Sequence, residues 1–302
     1  MEINTIIRPA FLKAGDQVGV SAPARKVTQR ELLPALEILQ NWGLKIRLHR
    51  HLYSGYHQFA STDYGRRTGL QDMISHKEVK AIFLARGGYG TVRIIDDMDF
   101  SSFREYPKWV VGFSDATVLH SHIHTHSKVE TLHAPMLVNF MSDAESVELL
   151  RKALFGEKVF YSVPGHPLDV RGDAEGILVG GNLSLLHTLA STPSDINTEG
   201  KILFLEDVDE YLYHIDRMMM QLKRAGKLEK LKGIILGGFT QMKDNVTPFG
   251  LNAEEIILDA VKKYGFPVSF GFPAGHGDKN FPLFMGRKVR LSVDAQVEVE
   301  FL

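Results

Sequence analysis

The sequence contains no cysteine. A disulfide framework, a cysteine-ligated zinc site and a thiol nucleophile are therefore excluded, and a reducing compartment is compatible with this composition. No stretch approaches the ~18 apolar residues that a membrane-spanning helix needs. The first residues, MEINTIIRPAFLKAGD, also lack the basic-then-apolar pattern of a signal peptide. We therefore expect a cytoplasmic protein that has no membrane partner.

The chain also lacks a net charge of either sign. Its 35 Lys and Arg residues balance 36 Asp and Glu residues, so the formal net charge is -1. Without a basic field, nucleic acid is not an expected partner. The hydrophobic share of 44% is ordinary for a globular protein. Because a single core usually stops growing at ~250–300 residues, the 302 residues favour two domains.

The first half of the chain alternates apolar strand patterns with helical patterns. Strands are predicted in DQVGVSAPA, KIRLHRHL, KAIFLARGGYG and KWVVGFSD. Amphipathic helices are predicted in TQRELLPALEILQNWG, which ends at Gly43, in TGLQDMISHKEV, in TVRIIDDMDF and through ATVLHSHIHTHS. This alternation is typical of a parallel sheet, and we predict a Rossmann-like N-terminal domain over residues 1–160.

The second half predicts an α/β domain with mixed strands over residues 161–302. The junction is placed within residues 139–175, a stretch in which Pro, Gly and Asp leave no sustained period after one short helix. Strands are predicted in GILVGGN, KILFLEDVDE and IILGGF, with helices between them. The closing KVRLSVDAQVEVEFL alternates with period two, which predicts an antiparallel hairpin.

A serine at the end of a predicted strand is the first candidate for chemistry. In GFSDAT, residues 112–117, Ser114 follows the strand KWVVGF and a helix begins directly after it. Ligands gather at the carboxyl ends of parallel strands, and the amides of the next helical turn can stabilise an oxyanion there. The motif departs from G-x-S-x-G because Ala116 fills the last glycine position. From this motif alone, Ser114 is either a nucleophile or a simple helix cap.

Three other segments carry candidate groups. The glycine loop RGGYG, residues 86–90, predicts either a turn with positive φ or a backbone that approaches a ligand, and it matches no nucleotide-binding motif. Glu206 ends the buried strand ILFL, where a carboxylate can orient a histidine, although Asp207, Asp209 and Glu210 compete for that role and local sequence alone favours a solvated acidic loop. His276 lies between glycines in a loop, as a general base or as an exposed histidine.

The run HSHIHTH offers a competing metal site. His120 and His124, and likewise His122 and His126, are spaced i,i+4 on a predicted helix, which can place two imidazoles on one face. No Glu lies between them as in H-E-x-x-H, and most of these histidines are expected to face solvent. A metallohydrolase that uses this run is therefore a secondary hypothesis.

Taken together and in order, these segments resemble the LD-carboxypeptidase family, also called murein tetrapeptide carboxypeptidases, which includes relatives that inactivate microcin-type antibiotics. The resemblance spans nearly the whole chain, through GDQVGVSAPA, ARGGYG, VGFSDAT, TLHAPM, GGNLSLL, GKILFLEDVDEYLYHIDRMMMQL, GIILGGF and GHGDKNFPLFMG. It implies a catalytic triad of Ser114, Glu206 and His276 in a cleft between the domains. It also implies an oxyanion hole from the backbone N–H of Asp115 and of a glycine in the Gly87–Gly88 turn, with Gly88 preferred.

What the resemblance implies about function is specific. The expected reaction removes D-Ala from the L-centre of diaminopimelate or L-Lys in cytoplasmic muropeptide tetrapeptides during peptidoglycan recycling, without metal or cofactor. A homodimer and a small peptide substrate are also implied. The extra aromatic-bearing loop of the antibiotic-cleaving relatives is absent after GGNLSLL, which favours peptidoglycan peptides. The chain departs from the family's usual glycine at Ala134 and at Ser191.

Two alternatives stay open besides the metallohydrolase. One is a hydrolase of the same family that acts on microcin-like peptidyl or aminoacyl nucleotides. The other is a non-catalytic protein that binds a ligand in its interdomain cleft. The sequence does not identify the residues that bind the terminal carboxylate of the substrate; Arg86 and Arg217 are candidates without further support.

Overall fold

Two β-sheets with helices on their faces make up the computed structural model, which describes residues 5–302. In chain order the elements are β1 (Gln17–Ser21), α1 (Gln29–Asn41), β2 (Lys45–Leu48), α2 (Asp63–Ser75), β3 (Val79–Leu84), β4 (Trp109–Gly112), α3 (Thr117–His126), β5 (Thr131–His133), α4 (Ala144–Leu154), β6 (Phe160–Pro164), β7 (Gly172–Asn182), α5 (Leu183–Leu189), β8 (Ile202–Val208), α6 (Leu212–Arg224), β9 (Gly233–Thr240), α7 (Ala253–Val261), β10 (Val268–Ser269), β11 (Leu283–Met285), β12 (Lys288–Val293) and β13 (Gln296–Phe301).

The first sheet has the order β11-β5-β4-β3-β1-β2. Strands β1 to β4 are parallel, as predicted. Strand β5, which the sequence pattern did not predict, is parallel to β4, and β11 joins the edge antiparallel to β5. Helix α1 begins after Thr28, whose side chain accepts the Glu31 N–H in a capping box, and it buries Leu32 and Leu39. The chain leaves the helix at Gly43 with φ of 80°, the helix end that the sequence predicts.

The predicted helix over TVRIIDDMDF is wrong. The segment forms two 3₁₀ turns, Thr91–Arg93 and Ile95–Asp97, and Ile94 between them leaves helical backbone with φ of -124°. The backbone N–H and the hydroxyl of Thr91 both donate to the carboxylate of Asp115. This anchor ties the start of the segment to the neighbouring loop, so tertiary contact overrides the helical pattern.

The second sheet has the order β10-β9-β8-β7-β12-β13-β6. Strands β7 to β10 are parallel, whereas β12, β13 and β6 are antiparallel to their neighbours, so the mixed sheet and the closing hairpin agree with prediction. Strand β7 is longer than predicted because its first half pairs with β12 and its second half pairs with β8. Residues 160–164, predicted to be irregular, form β6 because β13 supplies a partner.

The two sheets share one apolar core. Trp109 of β4, Phe284 of β11 and Val299 of β13 belong to a single cluster of buried side chains, and the rings of Trp109 and Phe284 lie 5.8 Å apart. Since β11 comes from late in the chain and joins the first sheet, the sheets do not divide strictly along the sequence. A boundary between residues 160 and 161 stays a prediction. Within residues 5–302, every helix is too short or too polar to cross a lipid bilayer.

Candidate active site

Ser114 lies on a sharp turn between β4 and α3. Its φ of 59° is left-handed, which is uncommon for a residue with a side chain and costs of order 1–3 kcal/mol. The turn is tight: a Cβ added to Gly112 would lie 3.1 Å from the Cβ of Ala116, so small residues on both sides of Ser114 permit it. The Ser114 side chain caps neither the 3₁₀ turn at residues 114–116 nor α3, so the helix-cap interpretation is wrong.

Glu206 holds His276 through two hydrogen bonds. Glu206 lies inside β8 and is 0% exposed, so the solvated-loop interpretation is wrong. Its Oε2 accepts the Nδ1–H of His276 at 2.6 Å and the backbone N–H of His276 at 3.2 Å. A Cβ at Gly275 would lie 2.7 Å from Glu206 Oε2, so only glycine permits this approach. The ring orientation leaves Nε2 as the nitrogen free to exchange a proton.

The environment of His276 suits a general base. Burial of the ring opposes protonation, but the hydrogen bond and the charge of Glu206, with a smaller contribution from Asp207, raise its pKa above 6.5. The ring of Phe113, the residue before Ser114, lies 4.8 Å from the His276 ring. Among residues 5–302, no hydrogen bond joins Ser114 Oγ to this ring, and such bonds often tighten only when substrate binds.

The acids that compete with Glu206 in the sequence have other partners. Asp207 is buried and accepts hydrogen bonds from Asn182 Nδ2 at 2.9 Å and from the backbone N–H of Ser184 at 2.9 Å. Asp209 forms an ion pair with Lys243 at 2.6 Å. Glu210 contacts His214 Nδ1 at 2.9 Å. Glu206 is therefore the acid that orients His276.

The glycine loop lies against Ser114. A Cβ added to Gly87 would lie 3.3 Å from the Cβ of Ser114. The loop is anchored by Asp115, which is 1% exposed and whose carboxylate accepts the backbone N–H of Gly90 at 3.2 Å and of Thr91 at 3.0 Å. The loop thus comes within reach of an oxyanion formed at Ser114. The assignment of the donors to the backbone of Asp115 and Gly88 stays a prediction.

A cavity of about 240 Å³ opens beside the His276 ring. Phe113 and His276 line it, together with residues at the beginning of α4. Polar side chains such as Gln241 also line it. Asp143 and Asp278 are the acidic side chains among the described residues that line it, and no lysine or arginine is among them.

The histidines of α3 are structural, and the prediction that most of them face solvent is wrong. His120, His122 and His124 are buried because α3 packs against β7 and α5 of the second sheet. Burial lowers the pKa of His120 and His122 to about 4 and that of His124 to about 3, so all three are neutral. Within the described part of the chain, no group of three or more histidine or acidic side chains is arranged to hold a metal ion.

The two arginines considered for the substrate carboxylate are placed elsewhere. Arg86 forms an ion pair with Glu31 at 2.8 Å, and Arg217 lies over the ring of Tyr213 at 5.1 Å. Neither lines the cavity. Sequence reasoning missed the buried pair of Asn182 and Asp207. The only available signal was the polar residue at the end of GILVGGN, directly before a helix.

Both halves of the chain match known protein families. Residues 18–134 match the family described as "LD-carboxypeptidase N-terminal domain", and residues 175–291 match "LD-carboxypeptidase C-terminal domain". A Bacillus subtilis (strain 168) protein named "Probable murein peptide carboxypeptidase" is 39% identical over 299 residues, covering 97% of this chain and 93% of that protein.

Two solved structures share the fold. The muramoyltetrapeptide carboxypeptidase of Oxalobacter formigenes superposes with a TM-score of 0.85 at 26% identity, covering 94% of this chain and 98% of that one. The microcin C7 self-immunity protein superposes with a TM-score of 0.87 at 20% identity, covering 97% and 98%, and at that identity it shows the fold alone. The chain belongs to the LD-carboxypeptidase family and is a serine-type carboxypeptidase.

Proposed function

We propose that this enzyme hydrolyses the terminal amide between the L-centre of diaminopimelate, or of L-Lys, and D-Ala in muropeptide tetrapeptides, with Ser114, His276 and Glu206 as its catalytic triad. The observation that carries the proposal is the buried carboxylate of Glu206, 2.6 Å from Nδ1 of His276, whose ring lies 4.8 Å from the ring of Phe113, the residue before Ser114. The names of the Bacillus subtilis and Oxalobacter formigenes relatives support the substrate class.

The proposed mechanism assigns one task to each group. His276 Nε2 takes the proton of the Ser114 hydroxyl as Oγ attacks the amide carbonyl carbon, and the backbone N–H groups of Asp115 and Gly88 stabilise the oxyanion. His276 then donates that proton to the D-Ala nitrogen as the C–N bond breaks. A water, deprotonated by His276, hydrolyses the acyl-enzyme and releases the tripeptide. The anion of Glu206 stabilises the imidazolium in both halves of the reaction.

The charge of the cavity favours a peptide over a nucleotide. Asp143 and Asp278 line the space next to His276 without a lysine or arginine among its described lining residues. These carboxylates offer a partner to the side-chain ammonium of diaminopimelate or lysine, a group that the nucleotide part of the alternative substrate lacks. Hydrolysis of microcin-like peptidyl or aminoacyl nucleotides, supported by the likeness of fold to the microcin C7 self-immunity protein, is the second candidate.

The cellular setting follows from the proposed substrate. A tetrapeptide released from the cell wall and trimmed to a tripeptide would serve peptidoglycan recycling in the cytoplasm. We propose that setting, and a homodimeric assembly, on the family relationship. The principal alternative from another class is a non-catalytic protein that binds its ligand in the same cavity.

The decisive experiment measures release of D-Ala from L-Ala-γ-D-Glu-meso-diaminopimelate-D-Ala. Wild type and Ser114→Ala are compared with and without EDTA, and thermal unfolding verifies that both are folded. We expect EDTA-resistant release by wild type and a fall in kcat of several orders of magnitude in the variant. An unchanged rate in Ser114→Ala would remove Ser114 from the mechanism.

A second substrate separates the remaining candidates. Hydrolysis of an aminoacyl sulfamoyl adenosine is measured under the same conditions, through release of its amino acid. Hydrolysis of this compound alone would replace the muropeptide assignment with the antibiotic-type one. A folded wild-type protein that hydrolyses neither substrate would favour the binding role.

A further inference from the structure

We propose that Thr117, Asn182 and Asp207 form a buried hydrogen-bonded bridge that fixes the position of the nucleophile relative to its base. The inference rests on the triad assigned above. Thr117 is the first residue of α3, three residues after Ser114, and Asp207 is the residue after Glu206 in β8. The bridge therefore joins the turn of the serine to the strand of the acid.

The bridge consists of two hydrogen bonds between groups that are almost completely buried. The backbone N–H of Asn182, at the end of β7, donates to Thr117 Oγ1 at 2.9 Å. The side-chain Nδ2 of the same residue donates to Asp207 Oδ1 at 2.9 Å. Thr117 is 0% exposed, Asn182 2% and Asp207 1%. Because water cannot replace a lost hydrogen-bond partner in such a buried place, the loss of one group leaves the next one without a partner.

A glycine directly before Asn182 makes the contact with Thr117 possible. A Cβ added to Gly181 would lie 2.4 Å from Thr117 Oγ1, and the φ of Gly181 is 141°. Glycine before Asn182 is therefore what allows the end of β7 to reach α3. The second oxygen of Asp207 accepts the backbone N–H of Ser184 at 2.9 Å, which fixes the carboxylate at the start of α5.

The bridge crosses between the two halves of the site. Ser114 and Thr117 belong to the first sheet and its connections, whereas Glu206 and Asp207 belong to the second. Two catalytic groups on different sheets react only if their separation is held to a fraction of an ångström, and a shift of ~1 Å can lower the rate about 100-fold. Thr117, Asn182 and Asp207 touch no reacting atom in this mechanism, so they are positioning residues.

The test removes one hydroxyl from the bridge. Thr117→Val keeps the shape of the side chain and leaves the N–H of Asn182 without an acceptor, while Thr117→Ser retains the hydroxyl. We expect kcat for D-Ala release to fall about 10- to 100-fold in Thr117→Val with KM within about twofold of wild type, and to stay near wild type in Thr117→Ser.

Ser121→Ala is the matched control. Ser121 lies one turn further along α3, is 2% exposed and donates to the backbone oxygen of Ser194, so it also joins α3 to the second domain. Its loss should lower the thermal stability about as much as Thr117→Val but leave kcat unchanged. An equal fall in kcat in Ser121→Ala would overturn the proposal, because any loosening of the domain contact would then have the same effect.

Two further variants complete the test. Asp207→Ala removes the acceptor of Asn182 Nδ2 as well as that of the Ser184 N–H, and we expect a fall in kcat of about 10- to 100-fold at the alkaline plateau of the pH profile. It tests the bridge even if Thr117→Val does not fold. Wild-type kcat in Thr117→Val, or in Asp207→Ala if Thr117→Val is unfolded, overturns the bridge alone. Full activity in Ser114→Ala overturns the triad on which the bridge rests.

Discussion

The serine side and the histidine side of this site are built by different means. On the serine side, backbone geometry positions the side chain: Ser114 has a left-handed φ of 59°, and a glycine loop packs beside it. On the histidine side, a buried charge positions the ring: Glu206 is 0% exposed and accepts hydrogen bonds from both the ring and the backbone of His276. The serine side depends on a strained backbone, and the histidine side depends on an electrostatic pair. Substitutions that change backbone shape and substitutions that remove charge should therefore lower activity on different sides of the site.

After the loss of the Ser114 hydroxyl itself, the largest expected effect comes from the charge of Glu206. Glu206→Gln keeps the size of the side chain but removes the anion that stabilises the imidazolium and selects its tautomer. We expect kcat to fall about 10³-fold, less than in Ser114→Ala because the orientation of the ring partly survives. Steady-state D-Ala release measures this, and a loss below tenfold would contradict the role assigned to Glu206.

The same variant changes the pH profile in a defined direction. His276 acts as a base only when neutral, so the acid limb of kcat/KM reports its pKa in the free enzyme. Glu206 raises that pKa above 6.5. Removal of the charge should therefore lower the pKa and move the acid limb to lower pH. A limb that stays in place, or moves upward, would show that another group controls it.

A steric change tests the same side without removing a charge. Gly275→Ala would place a Cβ 2.7 Å from Glu206 Oε2 on a backbone with φ of 97°. We expect the Glu206–His276 contact to separate and kcat to fall about 100-fold. Gly277→Ala is the matched control, because the nearest atom to its new Cβ would be 3.7 Å away. Equal losses in both variants would mean that the loop itself, and not its contact with Glu206, is sensitive.

The sequence predicts the positions of these groups better than their environments. Ser114 and Glu206 are recognisable because each follows or ends an apolar strand, and strand ends in a parallel sheet lie along one edge. The burial of Glu206 is not readable, since the loop that covers it, around Gly275, comes about seventy residues later in the chain. The contact depends on tertiary packing that no local pattern encodes.

The burial of the histidine run also depends on tertiary packing that the local pattern does not show. Its i,i+4 spacing predicted an exposed face, yet α3 is enclosed by β7 and α5 of the other sheet. His120 Nε2 contacts the backbone oxygen of Gly112 at 2.9 Å, and His122 Nδ1 contacts Ser194 Oγ at 2.9 Å. A helix between two sheets buries polar faces that periodicity alone assigns to solvent. The segment therefore lost its metal-binding interpretation only when its neighbours were known.

A smaller loss is expected on the serine side from Asp115. Its carboxylate accepts the backbone N–H groups of Gly90 and Thr91, and burial raises its pKa. Asp115→Asn replaces one acceptor by a donor that faces these N–H groups. We expect kcat to fall about tenfold as the glycine loop moves, and the free energy of unfolding to fall by about 1–3 kcal/mol. Urea unfolding and D-Ala release measure both, and Thr91→Ser, which keeps every donor, should leave D-Ala release unchanged.

The smallest expected effect comes from Ser191, whose left-handed backbone lies outside the active site and can be compared with that of Ser114. Ser191 has a φ of 64°, almost the same as Ser114, but its backbone N–H simply donates to Asp195 Oδ2 at 3.0 Å in a loop after α5. Glycine adopts that backbone without a steric penalty. Ser191→Gly should therefore raise the free energy of unfolding by about 0.5–1 kcal/mol, as measured in urea, and leave D-Ala release unchanged. Ser114→Gly should abolish release. If Ser191→Gly destabilised the fold, side-chain interactions of Ser191 would outweigh the cost of its left-handed backbone. A left-handed φ could then not be taken as a cost to stability at Ser114 either, and it would no longer be evidence that this turn serves catalysis.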